Sequence, residues 1–414
     1  MSGFEYVTRI VDAELSAALK RAGAVLIEGP RACGKTETAL QVANSIVRID
    51  REPGFIDLLG IDPQLALQGD VPRLFDEWQL APRLWNIVRG EVDARRQKGQ
   101  FILTGSMAPT SDAKRHTGAG RFARLKMRTM TLSETGHSTN ETSFANLLAG
   151  NPPRSTDPGF SYRDLVTRVV VGGWPGFQDL DASQASLNLR DYLDTVAEVD
   201  LQEVDSVQRD PVRVRRLLSA LARSTASEVT LATLAKDETS LSRDTVRDYL
   251  AALQRIFIIE DQPAWSTHLR SSATLRQEPK RHFVDPSLAV AALGASEDAL
   301  LKDPRFTGQL FESLVVQQLR VFSQATSGTV SHARDSQGRE LDAVVTLPDG
   351  SWSAFEIKLG NDPAVIDAAA AGLLKFADQV ADNQPTSLTV VVSSGPSYRR
   401  VDGVNVVAIG TLGP

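Results

Sequence analysis

The stretch that decides the fold is Gly29-Pro30-Arg31-Ala32-Cys33-Gly34-Lys35-Thr36. It satisfies the spacing GxxxxGK[ST], and the apolar run Ala24–Glu28 directly before it is suited to a buried strand. Glycines let the backbone turn its N–H groups inward, and the positive end of a following helix adds to them, so such a loop can hold phosphate oxygens. The pattern predicts a strand, a phosphate-binding loop and a helix over residues 37–43.

All eight residues of this loop are candidate nucleotide-binding residues, with ATP and Mg²⁺ as the predicted cofactors. Lys35 is expected to contact the β- and γ-phosphates, and Thr36 is expected to place its hydroxyl on Mg²⁺. The alternative is a glycine-rich turn that matches by chance. Cys33 has two interpretations: a small side chain at a tight position, or a thiol of low pKa that makes ATP binding sensitive to oxidation.

An acidic pair is expected on a neighbouring strand, and Leu74-Phe75-Asp76-Glu77 supplies it. Asp76 is predicted to bind the metal through its waters, and Glu77 to polarise the attacking water. Pro72 and Arg73 break the apolar character of this strand, which leaves an acidic surface turn as the alternative.

A second buried strand, Phe101–Gly105, ends in polar residues. Thr104 and Ser106 are the candidates for sensing the γ-phosphate at this position. The alternative for both is simple capping of the strand end.

Over nearly its whole length the sequence resembles a prokaryotic AAA-type ATPase family with an appended, poorly characterised C-terminal domain. The landmarks that stand in the family order are Val47-Arg48-Ile49-Asp50, Asp62-Pro63, Asp76-Glu77-Trp78-Gln79 followed by Pro82, Asp93, and Leu103-Thr104-Gly105-Ser106. The resemblance implies ATP hydrolysis by a homo-oligomer, of which a hexamer is one form.

The family then has a Gly-Arg element and a Pro-Leu-Ser-x-x-Glu segment, which appear here as Gly120-Arg121 and Thr131-Leu132-Ser133-Glu134. Thr131 stands in place of the proline of that segment, and Glu134 directly follows the serine instead of coming three residues after it. The resemblance implies that Arg121 is an arginine finger that reaches a neighbouring subunit's γ-phosphate, a contact worth roughly 10³–10⁵ in rate. Solvated surface positions for Arg121, Arg115 and Arg124 are the alternative.

The middle of the chain begins at a turn-rich break over residues 151–159. Gly172-Gly173-Trp174-Pro175-Gly176 predicts a tight turn that presents Trp174 to the core. Residues 212–261 have the pattern of three short helices and a strand pair, with residues 256–259 beginning the wing, which predicts a winged helix. Val246, Leu250 and Leu253 of its third helix are expected to point inward. Its third helix would point Arg243 and Arg247 outward, and with Arg255 these side chains could contact DNA phosphates without reading sequence. A lid or assembly module for the ATPase is the competing interpretation.

The C-terminal part predicts a helix over residues 306–319 and a hairpin of residues 339–345 and Trp352–Lys358. Because side chains alternate along a strand, Asp342 lies on one face with Glu340, and Glu356 with Lys358. The arrangement resembles the core of PD-(D/E)xK nucleases, in which acids hold Mg²⁺ and lysine helps activate water. The resemblance implies catalytic roles for Asp342, Glu356 and Lys358. It also implies metal binding by Asp342, Glu356 and Glu312 of the helix; the usual proline is replaced by Leu341.

The composition is that of a folded globular protein: 414 residues, 42% hydrophobic and 23% charged. The single cysteine excludes intramolecular disulfides, and the absence of an apolar run at the start predicts a cytoplasmic protein without membrane association. A net charge of −6 means that nucleic acid would bind only at local basic patches, such as residues 83–98, 114–128 and 209–223.

These observations predict an α/β protein of three domains. They are a P-loop AAA-type ATPase domain over residues 1–150, a helical and winged-helix domain over 151–275, and a PD-(D/E)xK nuclease-like α/β domain over 276–414. The preferred function is ATP-driven action on nucleic acid, DNA above all, by binding or cutting. An ATP-dependent signalling or scaffold switch with an inert nuclease-like domain is the alternative, and a toxin or defence component is a third.

Overall fold

The computed structural model describes residues 5–107, 118–204, 207–236, 241–266, 278–335, 338–380 and 383–414. The chain divides into two compact units. The first comprises Met1–Thr129 and Arg255–Phe257, and the second comprises Met130–Gln254 and Ile258–Pro414.

The α-helices, numbered α1 to α16 in chain order, are Val11–Arg21, Lys35–Leu40, Pro53–Ile61, Pro63–Ala66, Arg83–Arg95, Phe144–Leu148, Tyr162–Val171, Ala182–Thr195, Leu201–Glu203, Pro211–Arg223, Leu231–Leu234, Arg243–Arg255, Pro286–Leu293, Glu297–Lys302, Pro304–Ala325 and Pro363–Ala377. The strands, numbered β1 to β13, are Ala24–Glu28, Ser45–Arg48, Arg73–Asp76, Phe101–Gly105, Phe122–Lys126, Thr142–Ser143, Thr329–Arg334, Glu340–Thr346, Trp352–Lys358, Ser387–Val392, Tyr398–Arg399, Asn405–Ala408 and Leu412–Gly413.

The first unit is built on a parallel sheet with the strand order β2-β3-β4-β1-β5 among its described residues. Alternation along β1 sends its side chains to opposite faces: Ala24 and Leu26 join one hydrophobic cluster, and Val25 and Ile27 join another. A strand that is buried on both faces is apolar throughout, which is why the run before the loop has no polar residue until Glu28. The sheet therefore has a core on each side.

The helical part of the second unit packs around α13. Trp174, in the turn after α7, is buried, and its indole Nε1 donates a 3.0 Å hydrogen bond to Ser287 Oγ. Gly172 has φ +72°, and a Cβ on Gly173 would lie 2.1 Å from the carbonyl oxygen of Met130, so both positions need glycine. The prediction that the turn presents Trp174 to the core is confirmed.

A six-stranded sheet forms the rest of the second unit, in the order β11-β12-β10-β9-β8-β7 within the described part of the chain. Strands β7, β8 and β9 are antiparallel neighbours, whereas β10 runs parallel to both β9 and β12. Helix α16 covers one face, where Ile366, Ala370 and Leu373 join the cluster that contains Val390 and Val392.

The second unit also contains a short parallel pair, β6 with β13, in which Leu412 pairs with Thr142 and Gly413 with Ser143. Residues 130–150 belong to the second compact unit. Their predicted place in the ATPase domain, which ends at residue 150, stays a prediction. The further boundary predicted at residues 275 and 276 falls outside the described residues, and the three-domain division stays a prediction.

Candidate functional sites

The loop after β1 has the backbone that phosphate binding requires. Ala32 and Gly34 both have positive φ, at 61° and 101°, and α2 begins directly afterwards at Lys35. A Cβ on Gly29 would lie 2.1 Å from the carbonyl oxygen of Met127, so only glycine fits there. These turns fold the chain around a concave backbone at the amino end of a helix, the geometry in which main-chain N–H groups bind anions.

Lys35 and Thr36 make defined contacts in this loop. The Lys35 ammonium is buried and donates hydrogen bonds to the carbonyl oxygens of Gly29 and Pro30, at 3.0 and 2.7 Å. The Thr36 hydroxyl donates to Asp76 Oδ1 at 2.8 Å. The lysine is therefore folded back on its own loop, and the threonine bridges to β3.

Asp76 accepts two hydroxyl hydrogen bonds on one carboxylate oxygen. Besides Thr36, the Thr104 hydroxyl donates to Asp76 Oδ1 at 2.5 Å. Strand pairing explains this meeting, because Thr104 of β4 is in register with Asp76 of β3 on one side and with Ile27 of β1 on the other. Parallel strands end at the same edge of a sheet, so the loop, the acid and the polar end of β4 converge there.

Glu77 and Ser106 lie just beyond these strand ends. Glu77 has φ +56°, outside β3, and its half-buried carboxylate accepts a hydrogen bond from Gln79 Nε2. Ser106 is buried directly after β4. The roles predicted for Glu77 in activating water, and for Thr104 and Ser106 in sensing phosphate, stay predictions. The structure adds that Thr104 contacts Asp76.

Arg9, which was not predicted as a site residue, supports the phosphate-binding loop through its side chain. Its side chain is buried and donates hydrogen bonds to the carbonyl oxygens of Cys33, at 2.9 Å, and Arg128, at 3.0 Å. Cys33 itself is buried, with Sγ 3.9 Å from the carbonyl oxygen of Met127. This packing favours the small-side-chain interpretation of Cys33. No local motif marks Arg9, because its partners are 24 and 119 residues away.

Arg121 lies at the opposite edge of the sheet from the loop. It directly precedes β5, and its carbonyl accepts from the N–H of Ala24 at the start of β1, at 3.1 Å. The guanidinium forms a 2.9 Å ion pair with Asp93 Oδ1 and is partly exposed. Arg124, within β5, is 3.9 Å from Glu28, and Arg115 is outside the described residues. Any contact of Arg121 with a γ-phosphate would therefore be with the nucleotide of another subunit.

In the second unit, the three side chains predicted from the hairpin, Asp342, Glu356 and Lys358, lie close together. The Lys358 ammonium is 2.7 Å from Glu356 Oε1 and 3.5 Å from Asp342 Oδ2. The β8–β9 register pairs Ala343 with Phe355, so the next pair along is Asp342 with Glu356. Asp342 Oδ2 also accepts from the N–H of Ile357 at 2.8 Å. Side-chain alternation thus correctly predicted which residues share a face.

Lys280 completes this cluster and was not predicted. Its ammonium is 2.6 Å from Glu312 Oε1 on α15 and 3.4 Å from Asp342 Oδ1. The Lys280 side chain is only 4% exposed, and those of Glu312 and Asp342 are 15% and 10% exposed. Lysine is almost never buried unless it is paired, so these contacts account for its position. In the sequence, Lys280 is only a basic residue shortly before the apolar Phe283 and Val284, a pattern too common to predict a site.

The charges of the cluster are strongly coupled. Burial and then the nearby Asp342 raise the pKa of Glu312 to about 8, although Lys280 and Lys358 act to lower it. Burial and then Asp342 raise the pKa of Glu356 to about 7. Burial lowers the pKa of Lys280, but Glu312 and Asp342 raise it more, so the net shift is upward and the amine stays protonated. At neutral pH two ammonium groups therefore balance carboxyls that are partly protonated.

A buried polar framework holds Lys280 in place. Gln262 and Lys280 exchange two backbone hydrogen bonds, at 2.8 and 3.1 Å. The Gln262 amide donates to the carbonyl oxygens of Ser331 and Asp342, at 3.0 and 2.9 Å. His282 is hydrogen-bonded on one side to Gln262 and on the other to Ser313, the neighbour of Glu312. The lysine, the helix and β8 are thus joined through one network.

The predicted winged-helix segment contains α10, α11 and α12. Val246, Leu250 and Leu253 of α12 are buried as predicted, and the Ser242 hydroxyl caps the helix by accepting from the N–H of Thr245 at 3.1 Å. Arg243 and Arg247 are exposed, and Arg247 pairs with Asp244 at 2.6 Å. After the helix, isolated bridges join Ile259 to Phe283 and Gln262 to Lys280, instead of the continuous strand expected from residue 256.

The described residues contain neither a cluster of metal ligands nor a membrane-spanning helix. In residues 5–107, 118–204 and the later described ranges, no three or more His, Cys, Asp and Glu side chains are grouped so as to hold a metal ion. In the same ranges, no helix is long and apolar enough to cross a membrane.

Three family matches cover most of the chain. Residues 21–136 match a family described as AAA domain. Residues 162–299 and 307–412 match two domains of unknown function, DUF8612 and DUF4143. Two proteins are 27% identical over 371 residues, which is 87% of this chain and 76% of each relative. They are the uncharacterized proteins Rv2008c of Mycobacterium tuberculosis and Mb2031c of Mycobacterium bovis.

A solved structure, the Walker-type ATPase paby2304 of Pyrococcus abyssi, has 14% sequence identity and a TM-score of 0.40. It covers 68% of this chain and 94% of its own. The AAA match begins at Arg21, the last residue of α1, and includes Thr36, Asp76 and Thr104, which contact one another. The match supports a AAA-type ATPase domain over residues 21–136, and with it ATP hydrolysis.

Proposed function

We propose that this protein hydrolyses ATP in its first unit and uses the energy to act on nucleic acid, DNA above all, through a nuclease-like domain in its second unit. The observation that carries the ATPase part is the meeting of Thr36 and Thr104 on Asp76 Oδ1, at 2.8 and 2.5 Å. It brings the first turn of α2 to the ends of β3 and β4, an arrangement that suits phosphoryl transfer to water.

The residues at this point fit Mg²⁺ and a triphosphate. A hydroxyl and a carboxylate at the mouth of an N–H-lined loop are the oxygen donors that Mg²⁺ takes alongside phosphates. Thr36 would hold the ion directly and Asp76 through water, while Lys35 exchanges the Gly29 and Pro30 carbonyls for phosphate oxygens. Mg²⁺ held by these residues would supply positive charge against the phosphate oxygens. Glu77 orients the attacking water, and Arg9 keeps the loop in shape.

The nucleic-acid part is supported by two features of the second unit. Asp342, Glu356 and Lys358 share one face of the β8–β9 hairpin, beside Glu312 of α15, as the nuclease-like interpretation expects. Arg243 and Arg247 are exposed on α12, where a winged helix would contact phosphates without reading sequence. A homo-oligomer, of which a hexamer is one form, would let successive subunits act in turn.

The test is an ATPase assay of the purified chain with and without DNA. We expect DNA to stimulate hydrolysis, and we expect Lys35→Ala to abolish both the basal and the stimulated rate. Lys20→Ala, which removes a lysine from the last turn of α1, is the matched control and should leave both rates unchanged. If neither single-stranded DNA, double-stranded DNA nor RNA changes the basal rate, the proposed action on nucleic acid is contradicted. The proposal of ATP hydrolysis is not affected by that result.

A second candidate is an ATP-dependent signalling or scaffold switch whose nuclease-like domain is inert. The observation in its favour is the burial of Lys280 between the acids of Glu312 and Asp342. A nicking assay with Mg²⁺ or Mn²⁺ separates the two candidates. If the wild type cuts DNA and Asp342→Ala and Lys358→Ala do not, the inert version fails.

A further inference from the structure

The acids of the second unit do not fit a divalent metal site. Nucleases of this kind hold the metal on carboxylate oxygens that are otherwise open. Here Glu312 Oε1 and Asp342 Oδ1 contact the Lys280 ammonium, at 2.6 and 3.4 Å. Asp342 Oδ2 faces Lys358 and accepts from the N–H of Ile357, at 3.5 and 2.8 Å. Both oxygens of the central acid are therefore engaged by the chain.

Lys280 cannot easily give way to a metal. Its backbone is fixed by the two hydrogen bonds to Gln262, which is itself fully buried. Its side chain is 4% exposed, so moving the ammonium aside would bury a charge without a partner. A metal bound to the same oxygens, about 2.0–2.1 Å away from them, would meet the ammonium at close range and be repelled.

We propose that Lys280 is the built-in cation of this site, in which its ammonium takes the place between Glu312 and Asp342 that a nuclease gives to Mg²⁺. The site then takes up no divalent metal. It offers its substrate the fixed ammonium of Lys280 in place of an exchangeable metal ion. The second unit binds its partner and does not hydrolyse it by metal chemistry. This inference does not depend on whether DNA stimulates the ATPase, and each can fail alone.

Mn²⁺ binding to the full-length chain without nucleotide tests the proposal. Free Mn²⁺ is measured by electron paramagnetic resonance. We use an Asp76→Asn background, which removes the carboxylate expected to bind metal in the first unit. We expect no Mn²⁺ uptake that depends on Asp342, so adding Asp342→Asn should change nothing. Uptake of Mn²⁺ by this background that Asp342→Asn abolishes would overturn the proposal, and that comparison needs no Lys280 variant.

The converse experiment creates the missing site. In the same background Lys280→Met should tighten Mn²⁺ binding at least about tenfold, a gain that is lost again on adding Asp342→Asn. Lys358→Met is the matched control: it removes the other ammonium of the cluster, yet Lys280 still fills the cation position, so we expect no gain. A folded Lys280→Met protein without any gain, or an equal gain in Lys358→Met, would contradict the assignment.

Thermal unfolding covers the case in which Lys280→Met folds poorly. If the ammonium serves as the counter-ion of Glu312, the double variant Lys280→Met/Glu312→Gln should unfold at a higher temperature than Lys280→Met alone. A double variant that is less stable by the sum of the two single effects would mean that Lys280 does not neutralise this acid.

Discussion

Asp76 Oδ1 accepts hydrogen bonds from Thr36 and Thr104, and in the proposed function the charge of the same carboxylate serves Mg²⁺. An asparagine can present the same oxygen to both hydroxyls, and only the charge is lost. We therefore expect Asp76→Asn to fold normally and to lose roughly 10²–10³ of kcat for ATP hydrolysis. Steady-state ATPase kinetics and a thermal melt measure the two properties separately.

The control for Asp76→Asn is Asp57→Asn, which removes an exposed carboxylate from α3 of the same unit. It should change neither rate nor melting temperature. A fully active Asp76→Asn enzyme would show that this acid does not handle the metal.

The residues of the nucleotide site were predictable to the extent that they follow one another in the chain. The loop motif encodes its own geometry within eight residues, and Asp76 and Thr104 are marked by the polar ends of apolar strands. Arg9 and Lys280 were not predictable. Their partners are brought near by tertiary packing, and Lys280 is 62 residues from Asp342. A single Arg or Lys belongs to no motif of fixed spacing and to no periodic pattern, so nothing in the sequence marks it as part of a site.

At the scale of elements, β7 carries a buried histidine that should make stability depend on pH. Burial and then the positive charge of Lys280 lower the pKa of His332 to about 4. Glu228 and Arg334 are the other charged groups near it, with Glu228 Oε1 3.7 Å from the ring Nδ1. The folded residue therefore stays neutral over a range where an unfolded histidine takes up a proton.

Because the folded pKa lies below the unfolded value, this residue's contribution is fully present above pH 6.5 and is lost as the pH falls towards 4. Between pH 7 and 5 we expect His332 to account for about 2 kcal/mol of lost unfolding free energy. Urea unfolding at both pH values should show that loss reduced by this amount in His332→Leu. Equal losses in wild type and variant would mean that His332 titrates normally.

The β8–β9 hairpin shows what local pattern can and cannot predict. The bounds of β9, Trp352–Lys358, agree with the sequence analysis because alternating side chains flank a Pro-Asp-Gly turn. The alternation therefore also placed Asp342, Glu356 and Lys358 on one face. The strand expected from residue 256 is reduced to isolated bridges, because Phe257 adopts a left-handed φ of +59° that interrupts extended backbone.

At the scale of the whole molecule, Arg121 raises the question of how many chains make one active site. It lies at the amino end of β5, whereas the nucleotide loop follows the carboxyl end of the adjacent β1. If it acts as a finger, it must leave Asp93 and reach a second subunit. Arg121→Ala and Lys35→Ala should each be inactive, and a one-to-one mixture should recover about a quarter of the wild-type rate by pairing intact halves.

Arg124→Ala is the control for this mixing experiment, because it removes a more exposed arginine from β5, three residues after Arg121. It should be active alone. Mixtures that stay inactive although mass photometry shows that subunits have exchanged would exclude Arg121 as a residue acting between subunits.

The pairing of β6 with β13 has a consequence for synthesis on the ribosome. Ser143 is hydrogen-bonded to Pro414, which is 271 residues away along the chain, and Thr142 pairs with Leu412. At about 5–20 residues per second, the early strand waits roughly 10–60 s for its partner to be translated. All strands of the nucleotide-binding sheet, in contrast, emerge within residues 24–126. The nucleotide-binding sheet can therefore form early, whereas Thr142 and Ser143 lack their strand partner until residues 412 and 413 have been translated.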